Sequence, residues 1–243
     1  MKNLNSQSEK EKIEGTEEGK RLERNINKLR EEIEKTCRKI GRSAPDITII
    51  VATKYASSQQ VKLIYKLGIN NFGENRADEL MEKYNVAEGD SVWHFIGHLQ
   101  SRKIKTVVPL VEFIHSIDKI STLDKVNIEA AKLNKKQKVL IEVNISGEES
   151  KFGIKPRDLY DFLIETSGFK NIQVSGLMTM APLTDDFELI RGIFRQLRIL
   201  KDRSGRDYTG ANLTELSMGM SNDYKIAIEE GATMIRVGSI IFN

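Results

Sequence analysis

Cysteine is nearly absent from this 243-residue sequence, where Cys37 stands alone. One thiol excludes an intrachain disulfide and a thiolate metal cluster. Histidine is scarce as well, with three in the chain, so a soft metal site cannot be completed and no metal is expected. His94 and His98 stand four apart, but the first lies on a predicted strand and Gly97 breaks the register, so they do not form a helical zinc pair. No apolar run approaches the roughly 18 residues that a membrane-crossing helix needs. The segment Met1 to Lys20 alternates in charge and has no apolar h-region, which excludes a secretory signal. These absences predict a cytoplasmic protein without membrane association. A strong charge imbalance is lacking too, since 38 Lys and Arg face 35 Asp and Glu, a net charge of +3. The densest basic group (Lys132, Lys135, Lys136, Lys138) reads as a solvated rim, and no nucleic-acid partner is expected. Nucleophile-elbow, Walker-type and G-x-G-x-x-G motifs are all missing.

What is present is strict alternation. Residues 1–17 are polar and predict a disordered tail, leaving 18–243 as one folded domain without a linker. A helix is predicted from about Lys20 to Ile40. Its apolar positions Leu22, Ile26, Leu29, Ile33, Cys37 and Ile40 step by three and four, which makes Cys37 a core thiol. Eight strand signals follow: Ile47–Lys54, Asn71–Asn75, Val92–Gly97, Phe113–Ile117, Val139–Ile145, Ile172–Met180, Glu215–Met220 and Met234–Phe242. A helical segment follows each of the first seven. Strand-helix alternation argues for parallel βαβ units, and eight of them predict a closed α/β barrel of TIM type rather than a doubly wound open sheet. The leading helix is expected to replace the usual last one.

Active sites of such barrels lie at the C-terminal ends of the strands. On the first strand Thr48, Ile50, Ala52 and Lys54 share a face, so Lys54 is expected at the barrel mouth, where partial desolvation would expose an amine nucleophile. Lys54 is the one candidate for a catalytic role. The segment Ser217-Met218-Gly219-Met220-Ser221 precedes a predicted helix, and Gly238-Ser239 ends strand eight. Gly/Ser turns at these two places suit a phosphate. Arg236 is in phase with Met234 and Gly238, opposite Ile235 and Val237, so it points inward and needs a partner. Either a ligand atom or the in-phase carboxylate Glu142 could serve.

Six segments in order resemble the YggS/PROSC-like family of pyridoxal-phosphate homeostasis proteins. They are Val51-Ala52-Thr53-Lys54, Phe72-Gly73-Glu74-Asn75, Trp93 to Gln100, Gly176 to Met180, Leu216 to Ser221, and Ile235 to Ser239. The resemblance implies a barrel like the N-terminal domain of alanine racemase, of pyridoxal-phosphate fold type III but without the C-terminal β domain. It implies pyridoxal 5′-phosphate (PLP) as cofactor, held as a Schiff base on Lys54. It also places Ser217, Ser221, Gly238 and Ser239 around the phosphate, Arg236 at the pyridine nitrogen, and Asn75 and Met178 near the ring. Two positions depart from the family pattern: Arg102 stands where asparagine is usual, and Asn243 where glycine is usual.

An arginine at the ring nitrogen weakens the ring as an electron sink. A racemase on this scaffold needs a second, opposed base. In alanine racemase that base comes from the C-terminal domain, and this sequence ends at strand eight. The resemblance therefore implies a monomeric carrier that holds PLP in vitamin B6 homeostasis and serves PLP-dependent apoenzymes, without efficient turnover. The competing readings are a weak PLP-dependent amino-acid racemase and a cofactor-free Schiff-base aldolase.

Overall fold

The computed structural model describes residues 16–87, 89–148, 151–207 and 213–243. Residues 1–15 of the expected tail lie outside the described residues. The first helix begins inside that expected tail. Helix α1 spans Glu17–Lys39, with the Thr16 hydroxyl accepting from Gly19 N at 3.0 Å. Glu17 and Glu18 in its first turn, and Arg38 and Lys39 in its last, suit the helix dipole. The capped start, five residues before Leu22 opens the apolar stripe, explains the difference. Leu22, Ile26, Leu29, Ile33 and Cys37 are buried as their spacing predicts, whereas Ile40 is a 38% exposed cap residue.

The strands are β1 (Thr48–Ala52), β2 (Asn71–Glu74), β3 (Val92–Phe95), β4 (Phe113–Ile117), β5 (Gln137–Glu142), β6 (Ile172–Met178), β7 (Glu215–Ser217) and β8 (Met234–Val237). Each pairs in parallel with the next, and β8 pairs with β1, which closes the barrel. Between them lie α2 (Ser58–Lys66), α3 (Ala77–Tyr84), α4 (Ile104–Val107), α5 (Ile120–Lys132), α6 (Leu159–Thr166), α7 (Phe187–Asp207) and α8 (Tyr224–Glu229). Ser57 caps α2 in a reciprocal box with Gln60. The last predicted strand is too long. It stops at Val237, and Ser239–Phe242 forms a helical turn, α9. Asn25 of α1 donates to Ile241 O and Asn243 O at 2.9 and 2.8 Å, so the leading helix holds the C-terminal turn.

Period-two alternation divides the core. Val51, Phe72, Trp93, Phe95, Ile114, Ile235 and Val237 face outward and pack with the helices in one large apolar cluster. Ile50, Leu140, Met178 and Met234 form a separate small cluster inside the barrel. The remaining interior positions include polar residues: His94, His115, Glu142, Ser217 and Arg236 are all buried. A TIM-type interior is ordinarily filled with branched apolar side chains, so this one has given part of its packing to polar groups that must satisfy one another.

Two lysines of the group read as a rim are neutralised locally and a third is tied to backbone. Lys132 pairs with Glu129, Lys138 pairs with Glu112, and Lys135 donates to the Val108 and Val111 carbonyls. Among the described residues no helix is long and apolar enough to cross a membrane.

Candidate cofactor site at the barrel mouth

Lys54 lies two residues beyond the end of β1, in a turn rather than on the strand, and it is exposed. Its ammonium sits over the Tyr55 ring, 4.8 Å from the centroid. The expected inward phase ends at Ala52 because Thr53 leaves the strand. Thr53 is fully buried, and its hydroxyl donates to Glu74 Oε1 at 2.6 Å. Lys83 from α3 donates to the same Oε1 and to the Thr53 carbonyl, both at 2.7 Å. The other carboxylate oxygen of Glu74 accepts from Asn75 N at 3.1 Å. A buried ion pair therefore clamps the residue immediately before Lys54 and the residue that follows β2. A flexible lysine stem is thus carried on a rigid base.

Arg236, Ser221, Gly238 and Ser239 line one cavity of about 840 Å³ at the C-terminal ends of the strands, with Ala52 and Met220 among its other walls. Gly238 N and Ile240 N both point at Ser221 Oγ, at 3.2 and 3.4 Å. Gly219 holds the preceding turn at φ +93°, where an added Cβ would meet Ala227 Cβ at 2.5 Å. Only glycine suits that backbone and that space. Asp223 Oδ1 accepts from Met220 N at 2.5 Å and completes the turn.

Other expected site residues do not line this cavity. Met178 is buried in the interior cluster. Asn75 is half-buried and lines a separate cavity of about 300 Å³ with His98, Arg102 and Lys103. Ser217, expected beside a phosphate, is fully buried and is absent from the mouth cavity's lining. Ser217 closes β7, whereas Ser221 lies in the turn that follows it.

The inward arginine does not bond to the in-phase Glu142; two other groups hold it. Arg236 donates to Ser217 Oγ at 2.6 Å and to the Thr179 carbonyl at 3.0 Å. Burial lowers its pKa to about 10, while Glu142 and Asp223 act on it through space in the opposite sense. Ser217 in turn meets His115 Nδ1 at 2.9 Å, and His115 Nε2 meets His94 Nδ1 at 2.9 Å. Sequence reasoning passed over His115. Its one signal was a polar residue in the inward phase of the apolar strand Phe113–Ile117. His98 takes no part and stacks on Phe152 with centroids 3.9 Å apart. Among the described residues, no cluster of three or more His, Cys, Asp or Glu side chains could hold a metal ion.

Glu142 is 3% exposed, and burial followed by the nearby Asp118 charge raises its carboxyl to about pKa 7. The folded state then holds this proton more tightly than the unfolded chain does. Stability falls as pH rises from 4.5 to about 7, by about 3 kcal/mol. Glu142→Gln should remove that loss, giving a denaturation midpoint above the unsubstituted protein's at pH 8 and close to it at pH 4.5. An unchanged difference between the two pH values would refute the assignment.

Over residues 19–243 the chain matches the family described as "Alanine racemase, N-terminal domain". It is 40% identical to the pyridoxal phosphate homeostasis protein of Aquifex aeolicus over 89% of this chain and 95% of the relative. This chain belongs to that family. The homologous homeostasis protein of Synechocystis is 36% identical over 82% of this chain and 91% of its own length. PipY of Synechococcus elongatus, whose structure was solved with PLP bound, superposes with a TM-score of 0.81 at 30% identity, covering 91% of this chain and all of PipY. Alanine racemase of Clostridium difficile shares the fold, with a TM-score of 0.72 at 18% identity. That match covers 91% of this chain and 56% of the racemase. The homeostasis proteins are thus matched along nearly their whole length, the racemase only along its barrel.

Proposed function

We propose that this chain holds pyridoxal 5′-phosphate at the barrel mouth and acts in intracellular PLP homeostasis as a monomeric cytoplasmic carrier. The observation that supports it most is the joint lining of one cavity by Arg236, Ser221, Gly238 and Ser239, beside the turn that carries Lys54. These residues fit the group. Two backbone N–H groups already converge on an oxygen, Ser221 Oγ, as phosphate oxygens require. A buried guanidinium supplies positive charge to the same cavity.

When bound, PLP supplies an electrophilic aldehyde and a ring that can withdraw electrons. Lys54 is the amine that would take the aldehyde as a Schiff base, swinging its stem from Tyr55 to the mouth. Ser221, Gly238 and Ser239 would hold the phosphate. Arg236 carries donors only, so facing the ring nitrogen it would disfavour protonation there and limit carbanion chemistry. Ser217 is assigned to holding Arg236, and Met178 to the floor beneath the site. Asn75 is assigned to the rim.

Equilibrium dialysis against PLP, followed by transfer to a PLP-dependent apoenzyme and an amino-acid turnover assay, tests the reading. The expected result is one PLP per chain, released to the apoenzyme, without sustained turnover. Racemisation of an amino acid that disappears in Lys54→Ala would replace the carrier with a weak racemase.

A further inference from the structure

We propose that Asn71, His94, His115 and Ser217 form a one-way hydrogen-bond relay across the barrel interior that positions Arg236, with both imidazoles as Nε2–H tautomers. The direction follows from the Asn71 end. The Asn71 amide donates to Asn70 Oδ1 at 2.9 Å, leaving its own Oδ1 to accept from His94 Nε2 at 3.0 Å. His94 Nε2 therefore carries the hydrogen and Nδ1 is an acceptor. His115 Nε2 faces that acceptor at 2.9 Å, so it donates, and its Nδ1 accepts from the Ser217 hydroxyl at 2.9 Å. The Ser217 lone pairs are then free for Arg236 Nη1 at 2.6 Å, from a group that can only donate. Each donor meets an acceptor along the whole chain.

The relay has no room for an added proton. Protonating His94 would set its Nδ1–H against His115 Nε2–H. Relief would require His115 to change tautomer, which would turn its Nδ1 into a donor and strip the Ser217 hydrogen of its acceptor. The relay is also dry: His94 is 1% exposed, and His115 and Ser217 are fully buried. Burial holds both imidazoles far below the usual histidine range, His94 at about 3, with Arg236 adding to the effect at His115. The charged groups acting on this end of the relay are Arg236 itself, Glu142 and Asp223.

Positioning matters because Arg236 has competing partners. Glu142 and Asp223 both attract it through space, yet among the described residues it forms no salt bridge. Ser217 and the Thr179 carbonyl hold the guanidinium away from those carboxylates. Its charge thus stays available to the cavity instead of being spent on an internal pair. Ser217 can hold it firmly because His115 takes the serine hydrogen. The four relay residues lie on β2, β3, β4 and β7, so the barrel's curvature brings them together.

The relay's polarity belongs to the chain alone, while its effect on a ligand rests on the proposed PLP site. Two measurements keep these apart. Nitrogen-15 NMR of the purified protein without PLP should show both buried imidazoles as Nε2–H tautomers that do not titrate between pH 5 and 8. An Nδ1–H tautomer, or titration in that range, overturns the relay. In the PLP-loaded protein, Ser217→Ala and His115→Phe should weaken PLP by about tenfold to a hundredfold. They should also shift the pH midpoint of the bound cofactor's absorbance. His115→Gln, whose amide offers one donor and one acceptor, should recover both. A folded His115→Phe protein with unchanged affinity and spectrum overturns the positioning role. If that variant does not fold, Ser217→Ala, which removes one oxygen, decides in its place. Failure of the unsubstituted protein to bind PLP sinks the proposed function, and the NMR result then decides the relay by itself.

Discussion

Borohydride reduction of the PLP-loaded protein should leave one phosphopyridoxyl group per chain, on the peptide that contains Lys54, and Lys54→Ala should leave none. A reducible carbon–nitrogen double bond forms only where an unprotonated amine meets the aldehyde. Exposed lysines are numerous in this chain and will react slowly and without preference. Lys54 differs in place rather than in exposure. It follows Thr53, which Glu74 and Lys83 pin, and Ala52, which lines the cavity wall. An amine tethered there is presented to bound PLP at a high effective concentration, which the other lysines lack. Retained PLP in Lys54→Ala should be weaker by on the order of a hundredfold, the cost of losing a covalent link and keeping the phosphate contacts. Peptide mass mapping decides the matter. A stoichiometric adduct on any other lysine removes Lys54 from its role. Loaded protein without an adduct would mean that PLP is held through its phosphate and ring contacts, without a covalent link.

Lys83→Met should be the most damaging single change at the mouth that does not touch the ligand. Lys83 and Glu74 are 6% and 0% exposed at their side chains, with Nζ and Oε1 2.7 Å apart. Removing the cation strands a carboxylate inside the protein, which costs about 3–5 kcal/mol. Glu79, the lysine's other partner at 3.1 Å, is 24% exposed and can turn to water. The same lesion also frees the Thr53 carbonyl, so the turn bearing Lys54 loosens and PLP loading falls with stability. A double substitution, Lys83→Met with Glu74→Gln, should recover part of the loss by removing the stranded charge. Urea denaturation measures both. The contrast is Arg38→Met at a pair whose side chains are 76% and 62% exposed, where the expected change is under about 0.5 kcal/mol. Equal effects at the two pairs would show that the Lys83 clamp is not the buried ion pair described.

Strand phase was readable wherever β-branched and polar residues alternated. Arg236 between Ile235 and Val237 had to point inward, and it does. Strand ends were read too long at Lys54, Asn75, Gly97, Ile145, Met180, Met220 and Phe242, because local pattern does not mark where ladder pairing stops. Ser239–Phe242 shows the cause plainly. Its Ile240 and Ile241 are β-branched, yet they form a helical turn because Asn25 takes the Ile241 and Asn243 carbonyls. That partner lies more than two hundred residues away, and local propensity carries no trace of it.

The sequence alone determined the barrel, the inward faces of β1, β5 and β8, the buried thiol of α1 and the Gly/Ser turns at the mouth. These depend on periods of two and 3.6 residues and on glycine's backbone freedom, which are local properties. Only the tertiary structure decided which inward side chains meet. Ser217 and His115 are 102 positions apart, and nothing in either segment names the other. Closing eight strands sets which inward residues share a layer, and the low-dielectric interior then requires each polar atom there to find a partner. Closure thus brought Ser217 between His115 and Arg236, and set Lys83 against the turn that carries Lys54.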